Sequence, residues 1–192
     1  MLEHEYQQRR KKPRHLSPAP APLPQFEYTI RPAVASDLAE VLALYRHYVR
    51  NSVVTFDEKP PTLRAFRSKF EHTEKLGYPF LVAVSPGGGI LGYARVQPFR
   101  DKSAFRHTVE STIYLGPAST GRGLGRALLT ELIDRCRQIG LKEVIAVIAD
   151  SGADASIALH RSLGFEETGR MGKVGYKFER WIGIVMMQLS LR

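Results

Sequence analysis

The stretch STGRGLGRALL, from Ser119 to Leu129, combines the features with which proteins bind phosphate groups. Its three glycines alternate with other residues directly before an apolar helical pattern. Glycines let backbone N–H groups approach a ligand closely, and the N-terminus of a helix offers partial positive charge to a pyrophosphate. Arg122 and Arg126 add positive charge beside it. The spacing fits neither a P-loop nor a dinucleotide fingerprint, and a tight structural turn is an equal alternative on this feature alone.

A second candidate for chemistry is Glu110, which lies within the strand-like run TVESTIYL. Side chains alternate between the two faces of a strand, so Glu110 shares a face with Thr108, Thr112 and Tyr114. Partial burial there would raise the pKa of the carboxyl group toward the range of a general base. On spacing alone, a solvated or salt-bridged glutamate is the alternative. The opposite face carries Val109, Ser111, Ile113 and Leu115.

The elements that must position these residues follow the pattern of a mixed α/β domain. Alternation predicts strands in FEYTIRPA, in both halves of YPFLVAVSPGGGILGYARVQPF, in FRHTVESTIYL, in KEVIAVIAD and near 165–173 and 181–191. Helical spacing predicts a helix capped by Ser36, a second after Thr62, a third between Leu124 and Gly140 and a fourth over 155–163. The glycine stretch therefore falls at a strand-to-helix junction.

Length and composition suit one globular domain preceded by an arm. The chain has 192 residues, 43% of them hydrophobic, and a formal net charge of +9. Residues 1–25 are first basic and then rich in proline and alanine, which predicts a disordered arm before a domain at 26–192. No apolar run reaches the roughly 18 to 20 residues of a membrane span, and no secretory signal opens the chain. We therefore expect a soluble, cytoplasmic protein without a membrane or specific nucleic-acid partner.

The spacing of the single cysteine and of the histidines indicates neither a disulfide nor a metal site. Cys136 falls on the apolar stripe of the third helix, which predicts a core residue and excludes a disulfide within one chain. The histidines show no metal-ligand spacing with the cysteine or with clustered carboxylates, so the sequence predicts no metal site.

Several motifs in order resemble one family. Gly123-Leu124-Gly125 at a helix start, followed by IALHRSLGF, resembles the acyl-coenzyme A binding core of the GNAT superfamily of N-acetyltransferases. TVESTIYL, AVIADSGADASIALHRSLGF and VGYKFERW resemble its phosphinothricin acetyltransferase branch, which includes enzymes that acetylate methionine sulfone and methionine sulfoximine. The resemblance runs from about Tyr28 to Leu189 and implies an α/β GNAT fold. That fold is a mixed, mostly antiparallel sheet, splayed at its middle and flanked by helices, with acetyl-CoA in the opening.

The resemblance also implies how acetyl-CoA, the co-substrate, is held. Backbone amides of the glycine stretch would bind its pyrophosphate, and those of the strand before it would face the pantetheine arm. The positions that it marks are Ile113, Tyr114, Leu115, Thr120, Gly121, Arg122, Gly123, Leu124, Gly125, Arg126, Ala153 and Ser156. The family usually has Gln or Arg at Thr120 and Asn at Ala153, so we expect weakened rather than abolished binding.

Two residues match the catalytic positions of the family. Glu110 corresponds to the glutamate of the VEST motif and would accept the proton of the substrate ammonium, directly or through a water. His160 stands where members of the family place the group that protonates the departing thiolate, and the branch has a histidine there. A core or helix-surface histidine is the alternative for His160. The reaction implied is direct attack of the amine on the thioester within a ternary complex.

The resemblance marks a pocket for a small acidic or zwitterionic amine and a homodimer. The substrate positions are Phe56, Arg100, Lys102, Phe105 and Thr112. Phe105 replaces a tyrosine that is common in the branch, and the alternative for the two basic residues is an exposed loop pair. Tyr176, Lys177 and Trp181 match a segment that the branch places near the active site and the dimer contact, and plain packing is an equal alternative for each of them. A protein or peptide N-acetyltransferase and a non-catalytic acyl-CoA-binding protein are the other functions considered.

Overall fold

The computed structural model describes residues 26–192, which fold into a mixed sheet with helices on both faces. The expected arm at 1–25 lies outside the described residues. The strands are β1 (Thr29–Pro32), β2 (Phe80–Val84), β3 (Ile90–Pro98), β4 (Thr108–Leu115), β5 (Glu143–Ala149), β6 (Glu166–Lys177) and β7 (Arg180–Ser190). The helices are α1 (Leu38–Asn51), α2 (Leu63–Lys75), α3 (Leu124–Gln138) and α4 (Asp154–Ser162). The α/β fold expected from the sequence is confirmed.

One parallel pair interrupts an otherwise antiparallel sheet. The strands lie in the order β1-β2-β3-β4-β5-β7-β6, and only β4 and β5 run parallel. These two strands pair over Thr108–Glu110 and Glu143–Ile145 and then separate. One side-chain bond reaches across just beyond Glu110, from the Ser111 hydroxyl to the Ile145 carbonyl oxygen at 3.3 Å. The expected splay at the middle of the sheet therefore begins directly after Glu110.

Apolar side chains fill both faces of the sheet. Helix α3 buries Leu124, Leu128 and Leu132 against one face, in a cluster that includes Cys136. Helices α1 and α2 cover the other face, where Phe80, Val82 and Tyr93 form the centre of a second cluster. The predicted core position of Cys136 is confirmed, because its side chain is fully buried.

The first helix begins differently from the prediction. Ser36 was expected to cap it, but a short 3-10 turn over Ala35–Asp37 precedes α1, and no side-chain cap bond forms there. The carboxylate of Asp37 instead accepts the Val34 amide at 2.8 Å and both terminal nitrogens of Arg31 at 2.7 and 2.8 Å. The Arg31 guanidinium holds the pKa of Asp37 below its usual range. Asp37 thus ties the turn before α1 to β1, and the side-chain cap expected from Ser36 is not formed.

The remaining elements agree with the sequence pattern within a few residues. Helix α4 begins at Asp154 rather than at 155, and β6 continues to Lys177 rather than ending near 173. None of the helices within residues 26–192 combines the length and hydrophobicity that a membrane crossing requires.

Candidate active site

A cavity of about 770 Å³ occupies the opening between β4 and β5. It is lined by β4 from Glu110 to Leu115, by the neighbouring strands β3 and β5, by α1 and α2, by the start of α3 and by α4. Strand β4 pairs with β5 only as far as Glu110. The backbone N–H and C=O groups of residues 111–115 that point toward β5 therefore have no partner in the sheet. Ile113, Tyr114 and Leu115 all line the cavity, so the predicted strand offers its free edge to a ligand.

Glu110 lies at the point where the two strands separate. It pairs with Gln97 on β3 and with Ile145 on β5, and its side chain is partly buried at the cavity wall. Burial raises the pKa of its carboxyl group, and the nearby positive charges of Arg100 and Arg95 oppose that rise without cancelling it. A carboxylate with a raised pKa at a cavity wall is suited to accept a proton.

The glycine stretch forms the mouth of the cavity at the start of α3. Gly121 and Gly123 have φ angles of +70° and +81°, a region that favours glycine, and a Cβ at either would meet nothing within 4 Å. The first helical bond runs from the Ala127 N–H to the Gly123 carbonyl oxygen at 3.1 Å. The amides of residues 124–126 therefore have no helical partner and point out of the helix end. Open space and free amides together suit a pyrophosphate.

Four side chains of the glycine stretch make contacts within the protein. The Leu124 side chain is fully buried in the core, so only its backbone is available to a ligand. The Arg122 guanidinium lies 4.6 Å from the centre of the Phe26 ring and outside the cavity lining. Arg126 lines the cavity and donates to the Ser162 hydroxyl on α4 at 2.9 Å. The Thr120 hydroxyl donates to the Pro117 carbonyl oxygen at 3.0 Å, which stabilises the turn.

His160 lies on the inner face of α4 and is only 2% exposed. Its Nδ1 lies 2.8 Å from the Ser156 carbonyl oxygen, an acceptor, so Nδ1 carries the hydrogen and Nε2 is left as an acceptor. Burial lowers the pKa of the ring. Ala153 and Ser156 line the cavity together with His160. These three predicted residues and Glu110 therefore lie around the same cavity.

The predicted substrate residues divide into two groups. Phe56 and Thr112 line the cavity, whereas Arg100, Lys102 and Phe105 do not. The Arg100 guanidinium lies over the Phe99 ring at 4.1 Å and donates to the Phe99 carbonyl oxygen at 2.8 Å. Lys102 and Phe105 are exposed around a 3-10 turn.

Several lining residues were not predicted as part of the site, and among them are two hydrogen-bonded polar pairs. The pairs are Tyr45 with Asp57 and Arg95 with Gln97. The Tyr45 hydroxyl donates to Asp57 Oδ2 at 2.7 Å, and the Arg95 guanidinium donates to Gln97 Oε1 at 3.1 Å. The available signal was the pair of polar residues at alternate positions in the apolar run LGYARVQPF, which marks one face of β3.

Among the described residues, no group of three or more histidine, cysteine or acidic side chains is placed to hold a metal ion. A splayed sheet with a free strand edge and a glycine-rich helix start at one cavity suits a ligand that has a pyrophosphate and an extended arm, as an acyl-coenzyme A has. Residues 41–165 match the acetyltransferase (GNAT) family. The chain belongs to this family and is an acetyl-CoA-dependent N-acetyltransferase.

Relatives and a solved structure agree with this assignment. The chain is 43% identical over 85% of its length to the L-methionine sulfoximine/L-methionine sulfone acetyltransferase of Pseudomonas paraeruginosa, covering 94% of that protein. It is 40% identical over 85% of its length to the phosphinothricin N-acetyltransferase of Alcaligenes faecalis, covering 82% of it. A crystal structure of a phosphinothricin acetyltransferase from Sinorhizobium meliloti with acetyl-CoA is 44% identical, with a TM-score of 0.81 and coverage of 85% and 88% of the two chains.

Proposed function

We propose that this protein transfers the acetyl group of acetyl-CoA to the amine of a small amino-acid-like substrate of the phosphinothricin, methionine sulfone or methionine sulfoximine type. The names of the relatives support this class of substrate. The proposal rests on the position of Glu110, which is a partly buried carboxylate in the cavity lining where β4 and β5 separate.

The residues present fit acetyl-CoA on structural grounds. The unpartnered amides of 124–126 and the open space above Gly121 and Gly123 suit the pyrophosphate, and the free edge of β4 suits the pantetheine arm. When bound, acetyl-CoA supplies an acetyl group activated as a thioester. Thr120 directs its hydroxyl into the local turn, so the backbone carries the binding at this position.

Glu110 accepts the proton that the substrate ammonium must lose before its nitrogen can attack. Attack by the amine is direct in this proposal, and the state of the one cysteine of the chain supports it. Cys136 is fully buried in the core, and burial raises the pKa of its thiol to about 12, so no thiolate is available. Both substrates are therefore bound together when the acetyl group moves.

His160 delivers a proton to the departing thiolate. Burial lowers the pKa of the ring and so favours its neutral form, in which Nε2 is free to receive a proton. His160 must therefore first take up a proton, from solvent or from the reacting amine, before it can donate one. The bond from Nδ1 to the Ser156 carbonyl oxygen holds the ring in this orientation throughout.

The first experiment measures thiol release from acetyl-CoA by the wild type and by Glu110→Gln. The acceptors are phosphinothricin, methionine sulfone, methionine sulfoximine, ordinary amino acids and a short peptide. We expect turnover on a sulfone- or phosphinate-bearing amino acid and a loss of about a hundredfold in kcat for Glu110→Gln, because general-base assistance is removed. Acetyl-CoA affinity, measured by calorimetry, should stay unchanged in the variant.

Other outcomes would redirect the assignment. Activity on the peptide alone would indicate a protein N-acetyltransferase, and acetyl-CoA binding without turnover on any acceptor would indicate a regulator. A Glu110→Gln variant with normal kcat would remove Glu110 as the base.

We also propose that two copies assemble through the β6–β7 hairpin. Five large apolar side chains on this hairpin are each at least 47% exposed, and an exposed apolar patch of this kind marks an interaction surface. They are Met171, Val174, Tyr176, Phe178 and Trp181. The cytoplasmic location expected from the sequence stays a prediction, which fractionation of expressing cells would check.

A further inference from the structure

Arg95 stands on the cavity floor beside Glu110. Residues directly opposite each other on paired strands share a face of the sheet, and here Arg95 pairs with Thr112 while Gln97 pairs with Glu110. All four line the cavity. Arg95 and Glu110 are thus diagonal neighbours on one face, a relation that places backbones about 7–8 Å apart and long side chains within reach.

The positive charge of Arg95 has no carboxylate partner. No acidic side chain within residues 26–192 makes a salt bridge to it, and its one side-chain hydrogen bond goes to the neutral Gln97 amide oxygen at 3.1 Å. A guanidinium carries five N–H donors, so most of them are free. Among the described residues, the only fully buried side-chain nitrogen or oxygen without a partner is Nε of Arg46. The free donors of Arg95 therefore face accessible space, which at this position is the cavity.

We infer that Arg95, held by Gln97, binds the α-carboxylate of the amino acid substrate. This rests on the proposed function, because it assumes that the reacting amine lies at Glu110. In an α-amino acid the carboxylate is two bonds from the amine, so a cation that neighbours the base is in position for it. A guanidinium and a carboxylate match as two parallel hydrogen bonds, which fixes the orientation of the substrate as well as its affinity.

The other basic residues near the site are less suited to this task. Arg100 is exposed and stacked on Phe99, and Lys102 is exposed outside the cavity lining. Lys69 lines the cavity but is exposed on α2. Arg126 also lines the cavity but is exposed at the start of α3. Among the basic residues of 26–192 that line the cavity, only Arg95 combines partial burial, a neutral partner that fixes its side chain and a place next to the base.

The test compares methionine sulfone with its carboxamide, which keeps the amine and the sulfone and lacks the carboxylate. For Arg95→Met we expect kcat/KM on the acid to fall about 10- to 100-fold, mainly through KM, since a charge-assisted bond pair is lost. On the carboxamide, at a pH above the raised pKa of Glu110, wild type and variant should agree within about twofold, because the contact is absent in both and the base is ionised in both. Arg95→Lys, which keeps the charge without the planar pair of donors, should lie between them on the acid.

Arg64→Met is the matched control, since Arg64 is an exposed arginine on α2 outside the cavity lining. Equal losses on acid and carboxamide, or none on either, would overturn the assignment while leaving the proposed function intact. A wild type that acetylates no amino acid would overturn the proposed function itself. An unchanged acetyl-CoA affinity and an unchanged unfolding temperature would show that Arg95→Met is folded.

Discussion

At the scale of single residues, the charges around Glu110 set its strength as a base. Burial raises the pKa of its carboxyl group, and Arg100 and Arg95 limit the rise. If Arg95 is neutralised by a bound carboxylate, its effect on Glu110 weakens and the pKa rises further. The ammonium group of the same substrate opposes this rise until it loses its proton to Glu110.

The pH dependence of turnover follows from this residue. A protonated carboxyl cannot accept a proton, so kcat should fall as the pH drops through the raised pKa of Glu110, and the midpoint should lie above that of an ordinary glutamate. The measurement is kcat at saturating acetyl-CoA and amine over a pH series. Glu110→Gln should lack this acidic limb. His160→Gln should keep it, and if the limb disappears there instead, His160 is the proton acceptor.

At the scale of secondary structure, the helices and strands were largely predictable from their patterns, and the splay of the sheet followed from the family resemblance, but the residue at which β4 and β5 separate was not predictable. Helix α3 follows from its apolar spacing, and the positive φ of Gly123 from the glycine at its start. The opening after Glu110 depends on where β4 stops pairing with β5, a contact between distant parts of the chain. Arg95 was missed for the same reason, because only its register with Thr112 shows that it faces the cavity.

The contact between β5 and β7 holds one wall of that opening. The amide of Gly183 donates to Asp150 Oδ1 at 2.9 Å, and the Asp150 amide donates to the Gly183 carbonyl oxygen at 3.1 Å. Asp150 follows β5 directly, so this pair fixes the chain that leads to Ala153 in the cavity. A Cβ at Gly183 would overlap the Asp150 carboxylate and lie 2.6 Å from the Met171 carbonyl oxygen.

Gly183→Ala should therefore destabilise the fold. Overpacking a buried backbone contact costs about 1–3 kcal/mol, so we expect the free energy of unfolding in urea to fall by that amount. Gly169→Ala, on the neighbouring strand β6, is the control, since a Cβ there meets nothing within 4 Å. Equal stability of Gly183→Ala and wild type would show that β5 and β7 can shift apart at this point.

At the scale of the whole molecule, the β6–β7 hairpin joins the proposed dimer surface to the substrate side of the cavity. Lys177, near its turn, is buried and donates to the Thr55 carbonyl oxygen at 2.8 Å. Phe56 follows Thr55 and lies 3.6 Å from where a Cβ of Gly175 would be. The loop that lines the cavity with Thr55 and Phe56 thus rests on the hairpin. A partner that orders the hairpin would also order this loop.

Replacing Tyr176 and Trp181 together by serine should therefore separate the dimer and weaken amine binding. Their rings lie 5.2 Å apart, at 53% and 62% exposure, and large aromatic side chains of this kind dominate interfaces. We expect sedimentation velocity to show a dimer for the wild type and a dissociation constant at least about tenfold higher for the variant. Ile139→Ser, an exposed apolar residue at the end of α3, should leave the dimer unchanged. A wild type that sediments as a monomer would remove the proposed dimer. A monomeric variant with an unchanged KM for the amine would show that the loop keeps its position without the partner.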